Sequence, residues 1–201
     1  MRHASAFAVW AVLLAGCVGM PPPQAEAPAI YVLDARPAQK PVRALQDAVL
    51  AVSVPRARAG FDTAQMAFVR APYELEYFAK SRWADTPSRM LAPLLVQTLE
   101  QAGGFRAVVQ APNAVPADLR LDTELVRLQQ NFATRPPQVE LALRAQLVDV
   151  RSRRVLATAE FEEVEAATRE DAYGGVIAAN RALQRLLARL ADFVAAQSGG
   201  R

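Results

Sequence analysis

Val139-Glu140-Leu141-Ala142-Leu143-Arg144-Ala145-Gln146-Leu147 puts Val139, Leu141, Leu143, Ala145 and Leu147 on alternate positions. Side chains of a strand point to opposite faces with period two, so this run reads as a strand with one buried face. A second strand precedes it, with Leu119, Leu121, Thr123 and Leu125 on one face. Val126 and Leu128 continue on the other face, which predicts a β-bulge near Leu125. After Leu147, Asp149-Val150-Arg151-Ser152-Arg153-Arg154 is a polar, hairpin-type connection, and Val155, Ala157, Ala159 and Phe161 form a third strand. The three runs predict an antiparallel meander with one wet face.

Beyond the meander the period changes to that of a helix. Val176, Leu183, Leu186, Leu187, Leu190, Phe193 and Val194 recur mostly at three- and four-residue steps, predicting a helix from about Asp171 to Gln197 closed by Gly199-Gly200. Arg181, Arg185 and Arg189 share one face of it, which reads as a solvated helix face or as a contact for an anionic lipid or partner. Upstream, Thr86 and Pro87 supply an N-cap and a first helical residue, and Met90, Leu91, Leu94, Leu95 and Leu99 form the apolar stripe. Pro93 either kinks this helix or delays its start, and Gly103-Gly104 stops it. Short strands are expected at Ile30 to Leu33, Ala48 to Val54 (Leu50, Val52 and Val54 sharing a face), Gln65 to Val69 and Phe105 to Val109. In Tyr73-Glu74-Leu75-Glu76-Tyr77 the alternation predicts a strand whose Tyr73, Leu75 and Tyr77 face the core. Together these elements predict an α+β fold of two layers, a mostly antiparallel or mixed sheet with two main helices packed on one face.

The N-terminus reads differently. Met1-Arg2-His3 is followed by an apolar run from Ala4 to Leu14 and then by Leu14-Ala15-Gly16-Cys17. The run suits a secretory signal, and it is well short of the roughly 20 residues that span a bilayer as a helix. The ending resembles the lipobox of bacterial lipoproteins, which implies cleavage between Gly16 and Cys17 and acylation of Cys17. Two or more acyl chains would hold the protein firmly on a membrane without a spanning helix. Val18, where an aspartate would favour retention at the inner membrane, points to the outer membrane, periplasmic leaflet. Gly19 to Ala29 carries Pro21-Pro22-Pro23 and Pro28 and reads as an extended tether of about 3.1 Å per residue. The expected organisation is a signal peptide at 1–16, a lipidated N-terminus and tether at 17–29, and one domain at 30–197.

Composition narrows the function. Lys+Arg number 23 and Asp+Glu 20 in the full chain, a weak basicity that names no partner. The arginines are dispersed and no nucleic-acid motif accompanies them, so nucleic acid is not an expected partner. The single histidine, His3, falls in the signal peptide, which removes His-dependent nucleophile systems and His-containing metal sites from the mature chain. No G-x-S-x-G elbow occurs, and Cys17 is the lone thiol. Glu160, Glu162, Glu163 and Glu165 crowd one segment, but Glu160 and Glu162 fall opposite Phe161, as on a solvated strand face. No catalytic residue, metal or cofactor is expected, and the chain reads as a non-enzyme.

The stretch from Tyr73-Glu74-Leu75-Glu76-Tyr77-Phe78 through Arg82-Trp83-Ala84-Asp85-Thr86-Pro87, continuing into Met90-Leu91 and Leu94-Leu95, resembles the ABC-type transport auxiliary lipoprotein (PqiC-like) family. Lipobox, tether, aromatic motif, Phe132, meander and C-terminal helix follow in the family's order over roughly residues 14 to 195. The resemblance implies a periplasm-facing lipoprotein accompanying an Mce-domain (MlaD-like) protein and its ABC transporter, which move phospholipid or another hydrophobic substrate. It also implies homo-oligomers, since members can form rings. A lipid-binding periplasmic carrier and a purely structural envelope lipoprotein are the alternatives. Tyr73, Tyr77, Phe78, Arg82, Trp83 and Pro87 are the motif residues, readable as core, the usual place of aromatics at a sheet-to-helix junction, or as an interface; Phe78 opposite Tyr77, and Trp83 in a connecting loop, motivate the reading that some of them contact a neighbouring subunit or the Mce protein.

Overall fold

The computed structural model describes residues 26–35 and 43–198. Gly16, Cys17 and most of the expected tether therefore lie outside the described residues. Among the described residues, nine strands and two helices follow in the order β1 (Ala29–Tyr31), β2 (Arg43–Val52), β3 (Arg56–Ala57), β4 (Gln65–Val69), β5 (Glu76–Trp83), α1 (Pro87–Ala102), β6 (Gly103–Gln110), β7 (Leu119–Asn131), β8 (Gln138–Asp149), β9 (Arg154–Ala166) and α2 (Ala172–Ser198).

The meander forms as its periodicity predicts. β7 and β8 pair antiparallel from Leu119↔Asp149 to Asn131↔Gln138, and β8 and β9 from Gln138↔Ala166 to Asp149↔Arg154. The ladder slips between Leu125 and Arg127, so the extra residue, Val126, returns Leu128 to the face of Leu125. A second irregularity between Leu147 and Val148 pairs Val155 with Val148. Val155 is thereby turned away from the core and is exposed, contrary to the expected inward position.

β7 is the spine of the sheet. One edge carries β8, and the other takes β2, β3 and β4 in succession, all parallel, at Leu119–Leu121, Glu124–Leu125 and Gln129–Asn131. β6 runs parallel to β2 on its far side, while β5 is antiparallel to β4 and β1 parallel to β5. The sheet is therefore mixed, and both the parallel edge and the meander hang on one strand. Pro55 ends the segment after β2, and Val54, expected to share the face of Leu50 and Val52, is exposed just beyond the strand.

Both helices cover the same face. One cluster joins Leu91, Leu95 and Leu99 of α1 to Leu50, Leu119, Leu121, Leu125, Leu143 and Leu147 of the sheet and to Leu183, Leu186, Leu187, Leu190 and Val194 of α2. Each such side chain removed from water contributes about 1.5–3 kcal/mol before conformational entropy is counted. Ala178, Ala179 and Ala182 are almost wholly buried and let α2 approach the strands closely. α1 starts at Pro87, as Thr86-Pro87 predicts, with Pro93 tolerated inside on the exposed side. Asp171 caps α2 by accepting a hydrogen bond from the Gly174 N–H at 2.7 Å. Gly103, at φ 67°, ends α1 and opens β6 with no intervening loop.

Candidate functional site

The aromatic motif is divided by the β4–β5 hairpin into residues that hold the fold and residues that face out. Trp83, expected in a connecting loop, is instead the last residue of β5 and is 3% exposed. Its backbone N–H donates to the Ala64 carbonyl at 2.8 Å, and Pro87 beyond it is buried at the start of α1. Phe78 is half-buried, with its ring 4.7 Å from Phe68 and 6.2 Å from Phe132, and Phe68 meets Phe132 edge-on at 5.7 Å. Such a cluster fastens the hairpin to the end of β7. Tyr77 is half-buried and donates its hydroxyl to the Gly60 carbonyl at 3.0 Å.

Tyr73 is the reverse case. The expected strand over Tyr73 to Tyr77 starts only at Glu76, and Arg70 to Leu75 form the hairpin connection. Tyr73 sits there at φ 67°, in a left-handed conformation unusual for a bulky residue, with its side chain 108% exposed. Leu75, at 37%, is also largely out of the core. Beneath the tip, Arg70 reaches Glu76 at 2.8 Å and lies over the Phe68 ring at 4.6 Å. Arg82 is exposed on β5. The outcome differs between the two aromatics: Tyr73, read as facing the core, is the most exposed, and Trp83, readable as core or as interface, is core.

The arginine row of α2 is neither a bare solvated face nor a free anion contact. β9 turns Glu163 and Glu165 toward it, and Arg185 donates to Glu163 and to Glu165, each at 2.8 Å, while Arg189 donates to Glu163 at 2.8 Å. Arg181 stands 3.7 Å from Glu165. Glu160 and Glu162 point to solvent, as their spacing predicts. Burial pushes the Glu163 carboxyl up, but the hydrogen bonds and charges of Arg185 and Arg189 outweigh it and hold its pKa below the ordinary value of 4.5. A carboxylate whose folded pKa is depressed contributes stability above its unfolded pKa and loses it as pH falls through the folded one. Glu163→Gln is therefore expected to lower the unfolding free energy by about 1 kcal/mol at neutral pH, a value kept small by solvent around the half-exposed guanidiniums. The difference from the parent should be full above about pH 4.5 and shrink progressively as the pH falls below it, toward the depressed folded pKa. Thermal melts of both proteins from pH 3 to 8 check this, and a difference that is no smaller at pH 3 than at pH 7 would contradict it.

On the other face, Arg120 grips Asp122 through two nitrogens at 2.8 to 3.0 Å, and Ser53 donates to Asp122 at 2.6 Å. Burial pushes Asp122 up, while these hydrogen bonds and the charges of Arg120 and Arg56 bring its pKa below the usual value. Both carboxylate clusters are thus neutralised by arginines and hold strands and helix together, an arrangement suited to structure rather than proton transfer.

Between β7 and α2 lies an apolar cavity of about 20 Å³ lined by Met66, Phe78, Trp83, Leu128, Gln130 and Ala179, among others. Gln130 is 3% exposed, and its amide has no hydrogen-bond partner among the described residues. A side-chain carbon on Gly175 would collide with that amide, so the glycine lets α2 pass over it. The cavity has room for about one water, against the roughly 300–1,000 Å³ of a pocket for an organic ligand. Among the described residues no group of histidine, cysteine and carboxylate side chains could hold a metal ion, and no helix is long and apolar enough to cross a membrane.

A family model described as the ABC-type transport auxiliary lipoprotein component matches residues 31–195. Protein XCC0632 from Xanthomonas campestris, of the DUF330 family, superimposes with a TM-score of 0.78 at 22% identity, over 85% of this chain and 96% of that one. The hypothetical protein CT253 from Chlamydia trachomatis does so with a TM-score of 0.53 at 9% identity, over 78% of this chain and 100% of that one. At these identities the likeness is one of fold. A search of curated proteins finds no match.

Proposed function

Because this chain belongs to the family of ABC-type transport auxiliary lipoprotein components, we propose that it is the non-catalytic accessory subunit of an Mce-type ABC transport system for phospholipid or another hydrophobic substrate. The observation that carries the reading is the family match, which runs from the last residue of β1 to near the end of α2. On this reading residues 1–16 are the signal peptide, Cys17 is the lipidated N-terminus, residues 17–29 are the tether, and 30–197 are the domain. Val18 in place of aspartate favours the periplasmic leaflet of the outer membrane. The tethered domain docks or guides the Mce assembly, with Arg82 as the exposed motif residue on β5, while Tyr77, Phe78, Trp83 and Pro87 hold the hairpin and the start of α1 from within. The apolar cavity against Gln130 has no room for an acyl chain, so a carrier would have to hold its lipid elsewhere.

The test is recovery of partners. Affinity capture of the full-length, membrane-extracted protein after mild crosslinking is expected to bring down an Mce-domain protein in stoichiometric amount. Capture of unrelated envelope proteins alone would overturn the proposal, and stoichiometric bound lipid without an Mce protein would move the function to a carrier.

A further inference from the structure

We propose that the tip of the β4–β5 hairpin is a second membrane contact, with Tyr73 seated in the headgroup region of the same bilayer that holds the acylated Cys17. The inference rests on the lipid anchor of the proposed function and adds to it a surface and an orientation.

The direction of the chain carries the argument. β1 runs parallel to β5 with Ala29 opposite Ser81 and Tyr31 opposite Trp83. Residues before Ala29 therefore run back along β5 toward its first residue, Glu76, and the hairpin tip. Glu26 already follows that course, pairing with Lys80 at 3.0 Å. The N-terminal segment thus leaves the domain toward the end where Tyr73 projects. From Glu26 back to Cys17 is nine residues, at most about 30 Å of chain even when fully extended. An anchor within that distance, attached at that end, lets the tip reach the bilayer.

The tip has the chemistry for it. The Tyr73 ring and hydroxyl have no partner among the described residues, and its left-handed backbone holds the side chain away from the domain. Ala71, Pro72 and Leu75 around it are also exposed. A tyrosine suits the membrane interface because its ring is apolar and its hydroxyl wet. The charges nearby are Arg70, Glu74 and Glu76, with Arg70 paired to Glu76. This is no basic patch, so the contact is with the interface of a zwitterionic bilayer rather than with anionic headgroups.

The test uses the full, processed lipoprotein in phosphatidylcholine vesicles. Trp10 lies in the expected signal peptide, so the mature chain has Trp83 as its sole tryptophan, and Trp83 is buried. Tyr73→Trp adds a reporter at the tip. With brominated phosphatidylcholine, its added emission is expected to shift to the blue and to be quenched at least about threefold more than that of the parent, whose Trp83 signal also reports that the fold is intact. Flotation with the vesicles and the mass of the N-terminal peptide are read on the same sample. Acylated, floating protein in which the emission of the introduced indole stays unquenched and water-like would overturn the tip contact while leaving the anchor standing. An unacylated protein that does not float would remove the anchor, and the proposal with it.

Discussion

Trp83→Ala lowers the unfolding free energy by about 3–5 kcal/mol, the range for removing a large aromatic from a packed interior. Trp83 is 3% exposed, closes β5 immediately before α1, and lines the cavity that also holds the Gln130 amide. Truncation enlarges a void that is already present beside the buried Gln130 amide, and the cost grows with the volume left behind. For a chain of this length the melting temperature should fall by roughly 10 °C. Arg82→Ala, one residue away and exposed, should stay within about 0.5 kcal/mol of the parent. Chemical denaturation of the three purified proteins measures the contrast, and a loss below about 1 kcal/mol at Trp83 would mean that the ring does not pack as described.

The second large effect concerns attachment. In Cys17→Ser no thiol remains anywhere in the chain, so incorporation of labelled palmitate should fall to background and the leader should stay uncleaved. Each buried methylene of an acyl chain adds about 0.8 kcal/mol of membrane affinity, so losing two or more chains removes a hold that a single interfacial tyrosine does not replace. The fold should be indifferent: the core starts at Leu33, and the variant should melt at the parent's temperature. Label still entering the serine variant would break the lipobox reading. So would full processing with unchanged sedimentation.

Much of this fold is legible in the sequence because its larger elements each bury one face against one neighbour. β8 alternates cleanly since its inner face meets the helices, and α2 shows its stripe since it lies on the sheet along its length. Even the bulge at Val126 announces itself, as apolar residues changing parity. β5 is not legible in the same way. Its register with β4 shifts between Gln65 and Ala67, and much of it is only half covered, so Glu76–Trp83 has no clean period. The alternation over Tyr73 to Tyr77 spans a turn and a strand start instead. β3 is two residues long and exists only because β7 pairs with it. The match of Arg185 and Arg189 to Glu163 depends on how α2 lies across β9, and no local pattern encodes that geometry. The candidate site divides similarly: the motif points to the right hairpin, but which of its aromatics faces out depends on the turn at Tyr73.

The shared edge of β7 also sets a timetable for the growing chain. Val49 of β2 waits for Asp118, 69 residues downstream, and β3 and β4 wait comparably long for their own partners on the same strand. Until β7 is made, three strands, two of them hydrophobic, travel without the neighbour that completes them, and contacts between residues so far apart in sequence form slowly. Newly made molecules therefore spend their early life with unpaired strand edges, in a state prone to self-association. A chaperone that shelters residues 43 to 69 during this interval would act where the topology leaves the nascent chain most vulnerable.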